Sequence, residues 1–278
     1  MNDTKIEWCD MTWNPVTGCL RGCEYCYARK QAHRFTGYDD HEADTKFIEK
    51  DGLFEVHNRI NGVWKSGAVA PANFPFGFAP TLYRYRLNQP ARKRKGKTIF
   101  VCSMADLFGP WVPTKWIVDV MDACLAAPQH RYLFLTKFPE RYLNLEQVAL
   151  LPHQENFWYG ATATEPSMSL LDAKHLNTFA SIEPMLKRFG RPERGALDSI
   201  NWFILGAETG SRKGKVVPDR VWVQEVVDFC RETGKAVFMK DSLIPVMGEA
   251  GMVREFPWDV RKEGAWAAHL RNRFERVE

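Results

Sequence analysis

The 278-residue chain has no run of about 18 apolar residues, which excludes a conventional membrane-spanning helix. Its first residues, MNDTKIEWCD, lack the charged-then-apolar layout of a secretory leader, so a cytoplasmic location is expected. Apolar residues are not scarce: 45% of the chain is hydrophobic and 26% charged, which excludes disorder as the main state and supplies a core. Neither a helix-turn-helix nor a zinc-finger pattern is visible. Cysteine is limited to seven residues, an odd number, and three of them crowd into Cys19, Cys23 and Cys26. In a chain with no export signal, that spacing suits a metal better than disulfides. Acid is locally absent as well. The segment Leu82 to Lys97, LYRYRLNQPARKRKGK, carries Arg84, Arg86, Arg92, Lys93, Arg94, Lys95 and Lys97 without one Asp or Glu. Those seven exceed the whole formal charge of +4, so the positive field is local.

Short β-rich apolar runs alternate with amphipathic stretches, the pattern of parallel strands joined by helices. The runs predict strands at Thr98 to Cys102, Arg131 to Thr136, Phe157 to Ala163, Thr178 to Ile182, Asn201 to Leu205 and Ala236 to Met239, with a first short strand near Met11 to Val16. Helices are expected at Lys115 to Ala127, Glu140 to Leu150 and Arg220 to Thr233, the last closed by Gly234. About seven βα steps describe a partial or complete (β/α) barrel of the TIM type, with a doubly wound open sheet as the alternative. The barrel domain is expected over residues 1–253, with an insertion at 37–80 that contains a hairpin-like INGVWKSG at Ile60 to Gly67. Residues 254–278 form a C-terminal extension, expected to be a short helical cap.

The segment Trp13 to Ala28, WNPVTGCLRGCEYCYA, places Cys19, Cys23 and Cys26 in C-x3-C-x2-C spacing with Tyr25 before the last cysteine. Three thiolates on one tight loop can hold three irons of a [4Fe–4S] cluster and leave the fourth iron open to chelate S-adenosylmethionine (SAM). Gly18 and Gly22 permit the tight loop. The competing readings are a structural zinc site completed by Cys9, and an accidental cluster. Zinc sites usually pair cysteines in C-x2-C knuckles, and the interval from Cys9 to Cys19 is unlike them. Cys102, Cys124 and Cys230 lie in apolar runs and read as buried small hydrophobes.

The segments IEWCDMTWNPVTGC, GCEYCYA, FVCSMADLF, FLTKFPERY, ASIEP and FILGAETG, spread from Ile6 to about Asp241, make the chain resemble the radical SAM superfamily. It resembles more closely a phage- and prophage-borne family of radical-SAM-like proteins. The resemblance implies a partial TIM-type barrel of the radical SAM kind, a [4Fe–4S] cluster, SAM, and an electron donor such as flavodoxin or ferredoxin. It does not imply a substrate, and it covers 37–80 least.

On such a barrel the active site lies at the C-terminal ends of the strands. Ser103 and Asp106, Thr136 and Lys137, Thr162, Thr164 and Glu165, Glu183, Glu208, and Lys240 with Asp241 follow successive strands there. Ser103, Thr162, Glu183 and Glu208 are the expected partners of the ribose hydroxyls, ammonium and adenine edge of SAM. The competing reading makes single carboxylates helix caps or partners of Lys137 or Lys240. Phe74, Phe76 and Phe78 read equally as an exposed substrate platform or a packed lid. The basic run is expected to bind nucleic acid, because Tyr83, Arg84, Tyr85 and Arg86 interleave rings with guanidiniums, a combination suited to phosphates and stacked bases.

Together these features point to a radical SAM enzyme that modifies a nucleobase or its substituent in DNA. The most specific expectation is isomerisation of an amino-acid-substituted thymidine in phage DNA hypermodification, which evades host restriction. The alternatives are repair of a DNA photolesion or modification of RNA by the same radical, and a metal-stabilised nucleic-acid-binding protein without catalysis.

Overall fold

The apolar runs do form strands. In a computed structural model, which describes residues 1–36, 38–41, 47–64, 67–190 and 197–258, eight strands make one sheet. They are β1 (Asn2–Asp3), β2 (Met11–Trp13), β3 (Thr98–Val101), β4 (Arg131–Thr136), β5 (Phe157–Thr162), β6 (Asn177–Ile182), β7 (Trp202–Leu205) and β8 (Ala236–Met239). Strand order follows chain order without a reversal; β1 pairs antiparallel with β2, and every later pair is parallel. A doubly wound sheet reverses its order at a switch point. This sheet does not, so that alternative is corrected. No pairing among the described residues joins β8 back to β1 or β2, and the sheet stays open at that edge.

The strands are buried on both faces, which is why their sequences read as continuous apolar runs. One face carries Ile99, Val101, Tyr132, Phe134, Phe157 and Tyr159 against helices α2 (Thr114–Leu125) and α3 (Glu140–Gln147). Further along, the same face packs on Val223, Val226, Val227 and Cys230 of α4 (Arg220–Thr233). α2 turns Trp116, Ile117, Val120, Met121 and Cys124 inward at helical spacing, and α4 stops at Gly234, which takes the left-handed conformation at φ 66°. The opposite face carries Phe100, Leu133, Trp158, Phe179, Trp202, Ile204 and Phe238 and packs on itself. Trp8 lies 4.7 Å from the Phe100 ring and 6.3 Å from Trp202, which puts those two rings within about 11 Å of each other. Four strand spacings of a flat sheet would part them by about 19 Å. The helix-free face is therefore concave.

Two expectations are corrected. The first strand does not continue to Val16: Pro15 has no N–H for the ladder, and the chain turns so that Val16–Thr17 pairs with Thr81–Tyr83. Thr81–Tyr83 pairs in turn with Leu53–Val56, so the 37–80 insertion is sewn onto the root of the cysteine loop. The hairpin forms, as Asn61–Trp64 against Val69–Pro71. Gly37 and residues 42–46 and 65–66 of the insertion lie outside the described residues. The C-terminal extension does not begin as a helix. Arg254 bridges Phe238, while Phe256 and Trp258 pack on Trp202 beneath the concave face, and the rest of the expected cap lies outside the described residues. Among the described residues no helix is long and apolar enough to cross a membrane.

Candidate active site

The residues after each strand do meet. A cavity of about 350 Å³ opens at the C-terminal ends of the parallel strands and is lined by Cys19, Cys23 and Cys26 together with Ser103, Thr162, Glu183 and Glu208. Asp106, Thr136, Lys137 and Lys240 also line it. Thr164, Glu165 and Asp241 do not. Glu165 pairs with Lys187 and Asp241 with Arg254, so these carboxylates serve the rim.

The cysteine loop is seated by backbone. Gly18 N–H donates to the Met104 carbonyl at 2.9 Å and Cys19 N–H to the Phe78 carbonyl at 3.2 Å. Helix α1 (Tyr27–Arg34) begins just after Cys26, whose Sγ accepts from the Arg29 N–H at 3.4 Å. Arg29 also donates to the Cys19 carbonyl, and Arg21 reaches the Lys137 carbonyl after β4. The three thiols are free and partly exposed; burial pushes Cys19 up to about 11. Among the described residues only Glu146, His153 and His175 bring three ligand atoms within 4.8 Å of one another. Cys9 is buried among Trp8 and Phe100 under the cavity and does not line it. The four-thiolate zinc reading needs Cys9 as its fourth ligand, and Cys9 stands apart from the three cysteines that line the cavity.

Asn14, which sequence reasoning passed over, positions the loop after β3: its Oδ1 accepts from the Met104 N–H at 2.9 Å and from Ser103 Oγ at 3.2 Å. Tyr27 OH donates to the Ser103 carbonyl at 2.7 Å. Buried Asp106 accepts from Thr136 Oγ1 at 2.6 Å and the Lys137 N–H at 3.0 Å, and burial raises its pKa in spite of these bonds. Glu183 is ion-paired with Lys240, which also lies 3.9 Å from Glu7. Burial works against the Lys240 ammonium, but Glu183 and Glu7 outweigh it and hold the pKa above the ordinary value. Glu208 is 4% exposed, and Arg212 grips it with bonds of 2.7 and 2.8 Å. That grip holds the Glu208 carboxyl below its usual range. Arg212 was legible only as a residue four positions after Glu208.

Phe74 and Phe78 are buried with Ala28, Ala32 and Met104, and Phe76 stacks on Phe54 at 4.0 Å. They are a packed support and not an exposed platform. The basic run divides. Arg84 is committed to Glu55 at 2.9 Å and Asp119 at 2.5 Å, and Arg86 stacks 3.7 Å over Tyr83 and donates to the Asn14 carbonyl. Arg92, Lys93, Arg94 and Lys95 are exposed, and Lys97 is half-buried. These five lead into the N-terminal end of β3, whereas the cavity lies beyond its C-terminal end. Strand direction therefore sets these five cations at the end of the sheet opposite the cavity.

A family model described as "Protein of unknown function (DUF5131)" matches residues 3–243. No curated protein matches the chain. Among solved structures, a spore photoproduct lyase complexed with dinucleoside spore photoproduct is similar at 10% identity and a TM-score of 0.47, over 86% of this chain and 79% of that one.

Proposed function

The chain belongs to the DUF5131 family, whose description states no activity, so its own residues must supply the reading: we propose a radical SAM enzyme that acts on a nucleobase in DNA. The observation that carries it is the convergence of Cys19, Cys23 and Cys26 with Ser103, Thr162, Glu183 and Glu208 on one cavity at the strand ends. In this reading the curled sheet is the partial (β/α) barrel of that superfamily.

The three thiols suit a polynuclear cluster, each on its own iron, and the cavity falls in the size range of cofactor sites. When bound, the cluster and SAM supply a 5′-deoxyadenosyl radical, given one electron from a donor such as flavodoxin or ferredoxin. The hydroxyls of Ser103 and Thr162 and the carboxylate of Glu183 present hydrogen-bond acceptors to ribose hydroxyls and an ammonium. Lys240 holds Glu183 in place through their ion pair. Arg212 occupies both oxygens of Glu208, leaving this carboxylate its remaining lone pairs for a ligand. Ile6, Trp8, Phe100 and Leu135 floor the cavity and exclude water from the reacting carbon.

A strand of DNA fits the exposed cations only if it is long enough. β3 has four residues, about 13 Å, so a substrate touching both Arg92 to Lys97 and the cavity mouth spans about four nucleotides at 3.4 Å each. The cavity residues select neither an amino-acid-substituted thymidine nor a phage setting, so the proposal stops at a nucleobase. Anaerobic reconstitution with iron, sulfide and SAM tests it. 5′-Deoxyadenosine should form in the wild type and not in Cys19→Ala, Cys23→Ala or Cys26→Ala; its absence from reconstituted wild type would sink the radical reading.

A further inference from the structure

We propose that Glu146, His153 and His175 form a binding site for one divalent transition-metal ion of the zinc class. His153 Nε2 and His175 Nε2 converge on the same carboxylate oxygen, Glu146 Oε1, at 2.8 and 2.6 Å. The two rings stand 5.3 Å apart. Two imidazole nitrogens and one carboxylate oxygen are the borderline donor set that such ions take, and three protein ligands leave a fourth position for water.

The three residues come from different segments, yet the core holds each one. Glu146 follows Leu145 on the last turn of α3. His153 lies in the loop before β5, two residues after Leu151, and His175 precedes Leu176 in the loop before β6. Leu145, Leu151 and Leu176 are all buried in one hydrophobic cluster. The Pro152 carbonyl accepts from Tyr159 OH at 2.6 Å and the Glu155 carbonyl from Asn177 at 3.0 Å, so the loop that carries His153 is tied to β5 and to the first residue of β6. The side-chain tips stay accessible, with the histidines 50% and 55% exposed and the carboxylate 23%. Tetrahedral ligands at about 2.0–2.1 Å from an ion stand roughly 3.3–3.4 Å apart, so each imidazole nitrogen need draw back from the Glu146 oxygen by only about 0.5–0.8 Å, and all three ligand atoms already lie within 4.8 Å of one another. Exposed histidine and carboxylate pairs contribute little to stability by themselves. A bound ion would cross-link α3 to the entries of β5 and β6. The site lies at the N-terminal end of β5, about 20 Å of strand away from the cysteine cavity.

The test titrates Co²⁺, followed by displacement with Zn²⁺, into chelator-treated full chain. It compares wild type, Cys19→Ala and H153A/H175A, with near-ultraviolet circular dichroism as the check on folding. Wild type should bind one Co²⁺ more than H153A/H175A. The extra ion should show visible d–d bands without thiolate charge transfer, persist in Cys19→Ala, and leave when Zn²⁺ is added. Either single His→Ala change should weaken it by about tenfold or more. Equal stoichiometry and equal spectra in wild type and H153A/H175A would overturn the proposal and leave a surface ion-pair cluster. Because this readout does not involve turnover, its failure is separate from any failure of the radical SAM reading.

Discussion

Substituting alanine for Gly18 and, separately, for Gly22 tests how the cysteine loop is seated. Gly18 sits at φ 88°, and a Cβ there would stand 2.2 Å from the Ala79 carbonyl oxygen, 2.4 Å from its carbon and 2.7 Å from Pro80 N. All three are backbone atoms, so no side chain can rotate out of the way. Gly22 has φ 77°, and its Cβ would meet nothing within 4 Å. Both variants therefore carry the left-handed cost of roughly 1–2 kcal/mol, and only Gly18→Ala adds overlap. Relieving it pulls the loop from the Met104 and Phe78 carbonyls, two hydrogen bonds worth about 1 kcal/mol each. The expected destabilisation is about 1–2 kcal/mol for Gly22→Ala and about 3–4 kcal/mol for Gly18→Ala. Urea unfolding of the chelated proteins measures these values, and iron and sulfide analysis after reconstitution measures the site. Gly22→Ala should retain the cluster, while Gly18→Ala should lose most of it because Cys19 is displaced. Equal destabilisation in the pair, or full iron content in Gly18→Ala, would refute the idea that this backbone contact holds the loop.

Further outcomes are expected. Cys9→Ala should keep the brown chromophore that Cys19→Ala, Cys23→Ala and Cys26→Ala each abolish, as read by absorbance after anaerobic reconstitution. Glu208 has its folded-state pKa lowered by Arg212, so it contributes stability that is complete above the unfolded pKa of about 4.3 and is lost as pH falls through the folded value. Acid-unfolding curves should therefore be flatter between about pH 5 and 3 for Glu208→Gln than for wild type; identical curves would remove the assignment. Arg212→Ala removes the ion pair of a buried carboxylate and leaves it only the Val216 N–H, and should lower the midpoint of thermal or urea unfolding; an unchanged midpoint would show that the pair does not hold this end of the site. Neutralising Arg92, Lys93, Arg94 and Lys95 together should weaken binding of duplex DNA and flatten its log–log salt dependence by about 0.9 per lost phosphate contact. Dinucleotide binding should be unchanged by the same four substitutions, since so short a ligand cannot span β3; unaltered duplex affinity and slope would exclude the run from DNA binding.

Much of this molecule is written in neighbours along the chain. The strands Arg131–Thr136 and Ala236–Met239 and the helix Arg220–Thr233 have the bounds their apolar periodicity predicts, because propensity, burial pattern and the Gly234 stop all act within a few residues. The cysteine spacing is equally local, since three thiols within eight residues must share a loop whatever surrounds them. Parallel strands in chain order then bring Ser103, Thr162, Glu183 and Glu208 to one end, so the lining of the cavity was legible once the alternating pattern was read. What each group does there was not. Glu208 is taken by Arg212 and Glu183 by Lys240, and those choices depend on which side chains meet across strand ends. The break at Pro15 was visible as a residue, but its consequence, a second sheet joining the insertion to the cysteine loop, needed Thr81–Tyr83 to arrive from far along the chain. The basic run shows the division most plainly. Its charge is a property of sequence. Its place is a property of the fold: Glu55 and Asp119 neutralise Arg84, and the direction of β3 carries Arg92 to Lys97 to the end of the sheet opposite the cavity. Local order determined which elements form and which chemistry they carry, while long-range packing decided which charges remain free and which ends of the strands they face.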